Sequence, residues 1–190
     1  IGWWPIIENS YYISPFSNFS DLIKIFNELN KLDNEILIDL ELPLKNKKII
    51  IKNLFNFFKN KRLIKNFLEE NKKRITTAQY SLSSTEILLK IIGLDYKVIC
   101  EKSLMYYSST FSKRKNEELK KSISKIKNKK NYSISLGTIA KGIGNNEPLL
   151  SPKELRRDIE FVRGNGFDKI IIFRLGGLNK KYIKVINNFI

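Results

Sequence analysis

Glu35-Ile36-Leu37-Ile38-Asp39-Leu40-Glu41-Leu42-Pro43 reads as a buried strand that ends on two carboxylates. Strand side chains alternate between faces, so Asp39 and Glu41, two residues apart, point the same way. In parallel α/β barrels the loops after the strands form the mouth of the site, and acids at strand carboxyl ends carry general acid/base chemistry there. The segment therefore sets both the expected fold class, α/β, and the first candidate site.

Working outward, apolar stretches at 1–7, 36–42, 75–80, 98–107, 132–140 and 169–175 read as strands. Between them lie helical patterns at 18–32, 45–71, 84–92, 113–129 and 152–163. Leu22, Ile25, Phe26 and Leu29 recur at helical spacing, and Asp21 lies in that helix's first turn, where the dipole favours an anion. Ser151-Pro152-Lys153-Glu154 is a capping box with proline at the first helical position, and Gly164 or Gly166 can close the helix it starts. Strand–helix alternation implies a parallel sheet with right-handed crossovers.

Six strands suit either an open doubly wound sheet or the last six units of a parallel (β/α)8-type barrel. An open sheet with a nucleotide site would carry its Gly-rich turn after an early strand. Here Gly142-Ile143-Gly144-Asn145-Asn146 follows the fifth, which favours the barrel. At 190 residues the chain falls short of the roughly 250 typical of that fold. It also begins at Ile1, so the expectation is a single α/β barrel domain, residues 1–190, lacking upstream strands.

Composition excludes much chemistry. With no histidine, a Ser-His-Asp triad, a Cys-His pair and His-based metal sites cannot form within the chain. The single Cys100 allows neither an internal disulfide nor a thiolate metal site, and it reads as a small buried hydrophobe. No metal and no cofactor is expected. Carboxylates, tyrosines, lysines and amides remain, a set suited to glycoside cleavage.

The net charge of +16 suggests a polyanion partner at first sight. Lysine, however, outnumbers arginine 28 to 7, and lysines such as Lys45, Lys47, Lys48, Lys59, Lys61 and Lys65 fall in segments read as outer helices. The charge is read as solvated helix faces, and nucleic acid is not expected as a partner. No apolar run approaches the roughly 20 residues of a membrane span.

In this order of elements, Asp39-Leu40-Glu41 resembles the D-x-E end of the strand-four motif of glycoside hydrolase family 18, the chitinase and endo-N-acetylglucosaminidase group. Met105-Tyr106-Tyr107-Ser108 is similar to that family's M-x-Y-D strand. Counting the first strand as the third of a barrel makes these strands the fourth and the sixth, as in the family. The chain differs at Asn34 and Leu37, where the longer motif has acids, at Ser108, and in a last strand without tryptophan.

The resemblance implies a glycan substrate containing N-acetylhexosamine and an extracellular or cell-surface setting. It also implies substrate-assisted cleavage, in which the sugar's own acetamido group attacks the anomeric carbon. Glu41 would be the general acid, its pKa raised by partial burial and by Asp39; Asp39 would orient the acetamido group; Tyr107 would hydrogen-bond its carbonyl oxygen. Two acids on one strand cannot face each other across a sugar, as a two-carboxylate glycosidase needs at roughly 5 to 9.5 Å, which agrees with that scheme.

Met105, Trp3, Trp4, Gln79 and Tyr80 are the candidate substrate-binding residues, the tryptophans by stacking on pyranose faces. Competing readings are open for each. Asp39 and Glu41 could be salt-bridged to Arg74 or Lys102, and Met105 and Tyr107 could simply fill a core. A family 25-like muramidase, which also carries a strand-borne D-x-E pair, and a catalytically inactive carbohydrate-binding barrel are the alternative functions.

Overall fold

Apolar residues spaced by three and four build the first helix, α1 (Phe19–Leu29), which buries Leu22, Phe26 and Leu29. Asn18 caps it by accepting a hydrogen bond from the Ser20 backbone N–H at 2.9 Å. The computed structural model describes residue 5 and residues 13–42, 47–79, 86–97, 100–141 and 146–190. Their elements continue as β1 (Ile36–Asp39), α2 (Lys47–Asn53), a 3-10 turn (Leu54–Asn56), α3 (Phe57–Glu70) and β2 (Ile75–Gln79). After these come α4 (Glu86–Ile91), β3 (Glu101–Tyr106), α5 (Lys113–Ser124), β4 (Tyr132–Gly137), α6 (Pro152–Gly164), β5 (Ile170–Phe173) and α7 (Lys180–Ile186).

The five strands form one sheet in the order β1-β2-β3-β4-β5. β1 pairs parallel with β2, with Ile36 opposite Ile75 and Asp39 opposite Ala78, and β4 pairs parallel with β5, with Ile134 opposite Ile170. The expected α/β class with parallel pairing is therefore present. The described strands do not amount to a closed eight-stranded barrel, and the stretch expected to supply the first strand, 1–7, lies outside the described residues apart from Pro5. The chain divides into two compact units, Ile1–Lys102 and Ser103–Ile190.

In the first unit, Ile36 and Ile38 of β1 and Ile75 of β2 meet Leu22, Phe26 and Leu29 of α1 and Ile64, Phe67 and Leu68 of α3 in one core. The rings of Phe26 and Phe67 stack at 4.1 Å between centroids and fix how the two helices meet. Asn60, fully buried on α3, donates through Nδ2 to the carbonyls of Pro15 and Ser17, both at 2.8 Å. That amide ties α3 to the turn leading into α1. Lys61 Nζ reaches the last carbonyls of α4, Lys90 at 2.8 Å and Ile91 at 3.0 Å. The lysine acts as a carboxyl-terminal cap of the helix, alongside the Gly93 N–H, which reaches the Lys90 carbonyl at 3.4 Å.

In the second unit, β3 is buried on both faces from Ser103 to Tyr106. Ser103 Oγ and Ser135 Oγ, on β3 and β4, share a hydrogen bond of 2.6 Å. Ser151 and Glu154 complete the expected capping box of α6, and Gly166, at φ +78°, takes the left-handed turn that leads the chain out of that helix. Tyr182 of α7 donates to the Leu150 carbonyl at 2.5 Å.

Two expected helices are divided or shortened, and one helix is unexpected. The helix read over 45–71 is two helices interrupted at Leu54–Asn56, and the one read over 113–129 stops at Ser124, because beyond Ile126 no apolar residue continues its buried face. α7 was not expected at all; three lysines in seven residues mask the buried pair Tyr182 and Val185.

Replacing Asn60 with alanine strands two buried carbonyls, so we expect a loss of about 2–4 kcal/mol, read as a lower urea midpoint with an unchanged denaturant slope. A shift of under about 0.5 kcal/mol would show that the Asn60 tie is dispensable.

Candidate functional site

Period-two alternation along β1 decides where its acid points. Ile36 and Ile38 are committed to the core with α1 and α3, so Leu37 and Asp39 occupy the opposite face. Leu40 is buried again and makes a parallel bridge with Ile13, which carries the alternation past the strand's end to Glu41. Glu41 is half-buried and within electrostatic reach of Asp39. The structure thus brings the two acids together.

Burial, and then the charge of Glu41, raise the pKa of Asp39 to about 7. Near neutral pH Asp39 is therefore about half protonated, and its buried Oδ1 has no hydrogen-bond partner among the described residues. The structure puts a raised pKa on Asp39, the acid that β1 itself carries.

The salt-bridge alternative loses both of its named cations. Arg74 donates to the carbonyls of Leu32 and Leu29 and, through Nε, to Asn71 Oδ1 at 2.9 Å, closing the turn after α1. Lys102 Nζ pairs with Asp95 at 3.2 Å, where Lys90 also approaches at 3.9 Å. Cys100 is a half-buried free thiol packed against the same core, 3.8 Å from Thr77 Oγ1, and burial pushes its pKa up.

Met105 and Tyr107 belong to the second unit. Leu104 and Tyr106 are buried, and the Tyr106 ring lies 5.8 Å from that of Phe161 on α6, so this face of β3 turns to the helices. Met105 and Tyr107 follow the other face. Tyr107 is half-buried, with its ring stacked on Phe173 at 6.1 Å and in van der Waals reach of a Cβ at Gly137. Gln79 ends β2, while its side chain, like Trp3, Trp4 and Tyr80, lies outside the described residues, as do 142–145 of the glycine-rich stretch.

Ser108, which stands at the aspartate position of the M-x-Y-D resemblance, turns toward α6 and donates to Asp158 Oδ2. Arg157 reaches the other oxygen of Asp158 at 3.0 Å. Burial raises the Asp158 pKa while the Ser108 and Arg157 contacts lower it. The sequence reading missed this carboxylate. Its signal was an acid on the buried stripe of an amphipathic helix, among Leu155, Ile159 and Val162.

No family model matches the chain, and no curated protein or solved structure matches it. Its function must be argued from these residues. Among the described residues, no group of three or more His, Cys, Asp or Glu side chains is placed to hold a metal ion. Within the same residues no helix is long and apolar enough to cross a membrane.

An aspartate with pKa about 7 folded and 3.8 unfolded binds more protons in the native state between those values, so stability falls as pH rises through that window. The cost is complete above about pH 7 and amounts to as much as about 4 kcal/mol. We expect Asp39→Asn to be more stable than the parent at pH 8 by about 2–4 kcal/mol and nearly equal to it at pH 4, by urea unfolding at each pH. Equal stability at both values would mean that Asp39 is not held in this environment.

Proposed function

We propose that this chain is a glycoside hydrolase-like domain acting on N-acetylhexosamine-containing glycans by substrate-assisted general acid catalysis, with Asp39 and Glu41 as its acid pair. The observation that carries the proposal is the carboxyl of Asp39, raised in pKa beside Glu41 and with its buried Oδ1 lacking a described partner. In the same reading, the sheet is part of a (β/α)8-type barrel, and β1 supplies the acids from its carboxyl end.

Near neutral pH about half of the molecules carry a proton on Asp39, and this is the competent form. An arriving acetamido group offers its N–H to Asp39, which favours the ionised form there and passes the proton to Glu41. The acetamido carbonyl oxygen then bonds to the anomeric carbon as the glycosidic C–O bond breaks, and the departing oxygen takes the proton of Glu41. Asp39 stabilises the cationic ring so formed. In the second step water attacks the anomeric carbon, the bond from that carbon to the acetamido oxygen breaks to restore the acetamide, and water's proton goes to Glu41. One carboxylate that transfers protons and one that holds the amide are enough, which suits two acids on a single strand. Tyr107 and Met105 belong to the other unit, and the reading rests on the acid pair alone.

Chitooligosaccharide hydrolysis, followed by release of reducing ends, tests the assignment. Glu41→Gln is expected to lower kcat by about 10²–10⁴-fold with sugar affinity kept. Asp39→Asn is expected to lower it as well, and aryl glycosides that lack the acetamido group, having no internal nucleophile, are expected to be cleaved by neither the parent nor the variant. Sugar binding without turnover in the parent protein would favour a non-catalytic glycan-binding domain. Cleavage indifferent to the acetamido group would overturn the substrate-assisted scheme.

A further inference from the structure

The segment 47–66, Lys47-Lys48-Ile49-Ile50-Ile51-Lys52-Asn53-Leu54-Phe55-Asn56-Phe57-Phe58-Lys59-Asn60-Lys61-Arg62-Leu63-Ile64-Lys65-Asn66, carries seven cationic residues and no acid. It builds α2, the 3-10 turn and the start of α3. Its inward side chains are accounted for: Asn60 and Ile64 are buried, and Phe57 packs at 5.1 Å on Phe16.

The outward side chains are unlike an ordinary solvated face. Ile51, Leu54, Phe55 and Phe58 are 68%, 51%, 99% and 81% exposed. Their spacing of three, four and seven places them on one stripe that runs through the 3-10 turn. Four large apolar side chains this bare and this close in sequence make a contiguous patch that single exposed hydrophobes do not. Lys48, Lys52, Lys59 and Arg62 are exposed around it, with Lys48 and Arg62 continuing the stripe at either end. Lys59 Nζ also lies 3.5 Å above the Phe19 ring, and Lys65 pairs with Glu69 at 3.4 Å.

We propose that this stripe is a peripheral membrane-docking face that seats Ile51, Leu54, Phe55 and Phe58 in the interfacial layer of an anionic phospholipid bilayer, with the surrounding lysines and Arg62 on the lipid phosphates. Both chemistries of that interface are matched. The apolar stripe gains by leaving water, and a cationic border without acids meets a negative surface potential. Single-stranded nucleic acid would fit the charge and the two rings, but Ile51 and Leu54 have no face on which a base can stack. The arrangement needs no spanning helix, since an interfacial segment lies in the plane of the membrane.

Vesicle co-sedimentation of the full 190-residue chain tests the proposal, comparing phosphatidylcholine vesicles with and without phosphatidylserine. Binding is expected only when phosphatidylserine is present and should weaken as salt rises. The double variant Phe55→Ser, Phe58→Ser should weaken it at least about tenfold, given the area each ring removes from water. Lys48→Glu with Lys52→Glu should do the same at low salt. All four positions are exposed, and an unchanged circular dichroism melt confirms that the variants fold. Three outcomes overturn the proposal: no binding to either vesicle, binding to anionic vesicles that ignores loss of both phenylalanines, or phenylalanine-dependent binding found only to a second copy in sedimentation velocity or to a single-stranded oligonucleotide.

Discussion

Everything at the candidate site depends on the commitment of Ile36 and Ile38 to the core between the sheet and α1 and α3. Two fully buried isoleucines on one face of a four-residue strand leave no freedom of register, because a slip of one residue would exchange them for Leu37 and Asp39. The acid is thereby pressed into a wall it would not choose. Hydrophobic burial of its neighbours, at roughly 1.5–3 kcal/mol for each side chain, is large enough to impose the partial desolvation of one carboxyl group. The raised pKa of Asp39 is a consequence of the packing of the residues around it.

The second unit uses the same logic with a different outcome. On β3, Leu104 and Tyr106 go to the helices, so Ser108 arrives on the helix side as well and meets Asp158 there. A hydroxyl at that position needs an acceptor once it is buried, and α6 supplies one from its apolar stripe, with Arg157 balancing the charge. Here the buried acid has donors on both oxygens. In the first unit, Asp39 keeps one oxygen without a described partner, which is the difference between a carboxylate that holds two elements together and one with an acceptor to offer.

Some strand starts and one helix start were legible because they depend on local chemistry: Ile36, Ile75 and Tyr132 begin strands where the apolar runs begin, and Pro152 begins α6 where the capping box puts it. The acid pair was legible for the same reason, since alternation alone makes Asp39 and Glu41 neighbours. The break at Leu54–Asn56 was not, because apolar residues continue through it at helical spacing and only the turn geometry changes. Nor could the fates of Arg74 and Lys102 be read. The acceptors of Arg74 are chiefly backbone carbonyls at the end of α1 and just beyond it, which carry no mark in the sequence, and Asp95 is one acid among nineteen. Asn179 ahead of α7 was a usable capping signal that the lysines of that segment concealed.

Lys61 shows that the chain's excess of positive charge is not all surface field. Its amine is the stopper on the end of α4, holding two carbonyls that the helix itself cannot satisfy. Acylation of an exposed lysine such as Lys48 or Lys52 alters chiefly the local potential. At Lys61 the same modification would remove two donors from the helix end, so a chemistry usually regarded as charge neutralisation would there act on backbone order, in a stretch of chain that also carries Asp95 and its lysine partners.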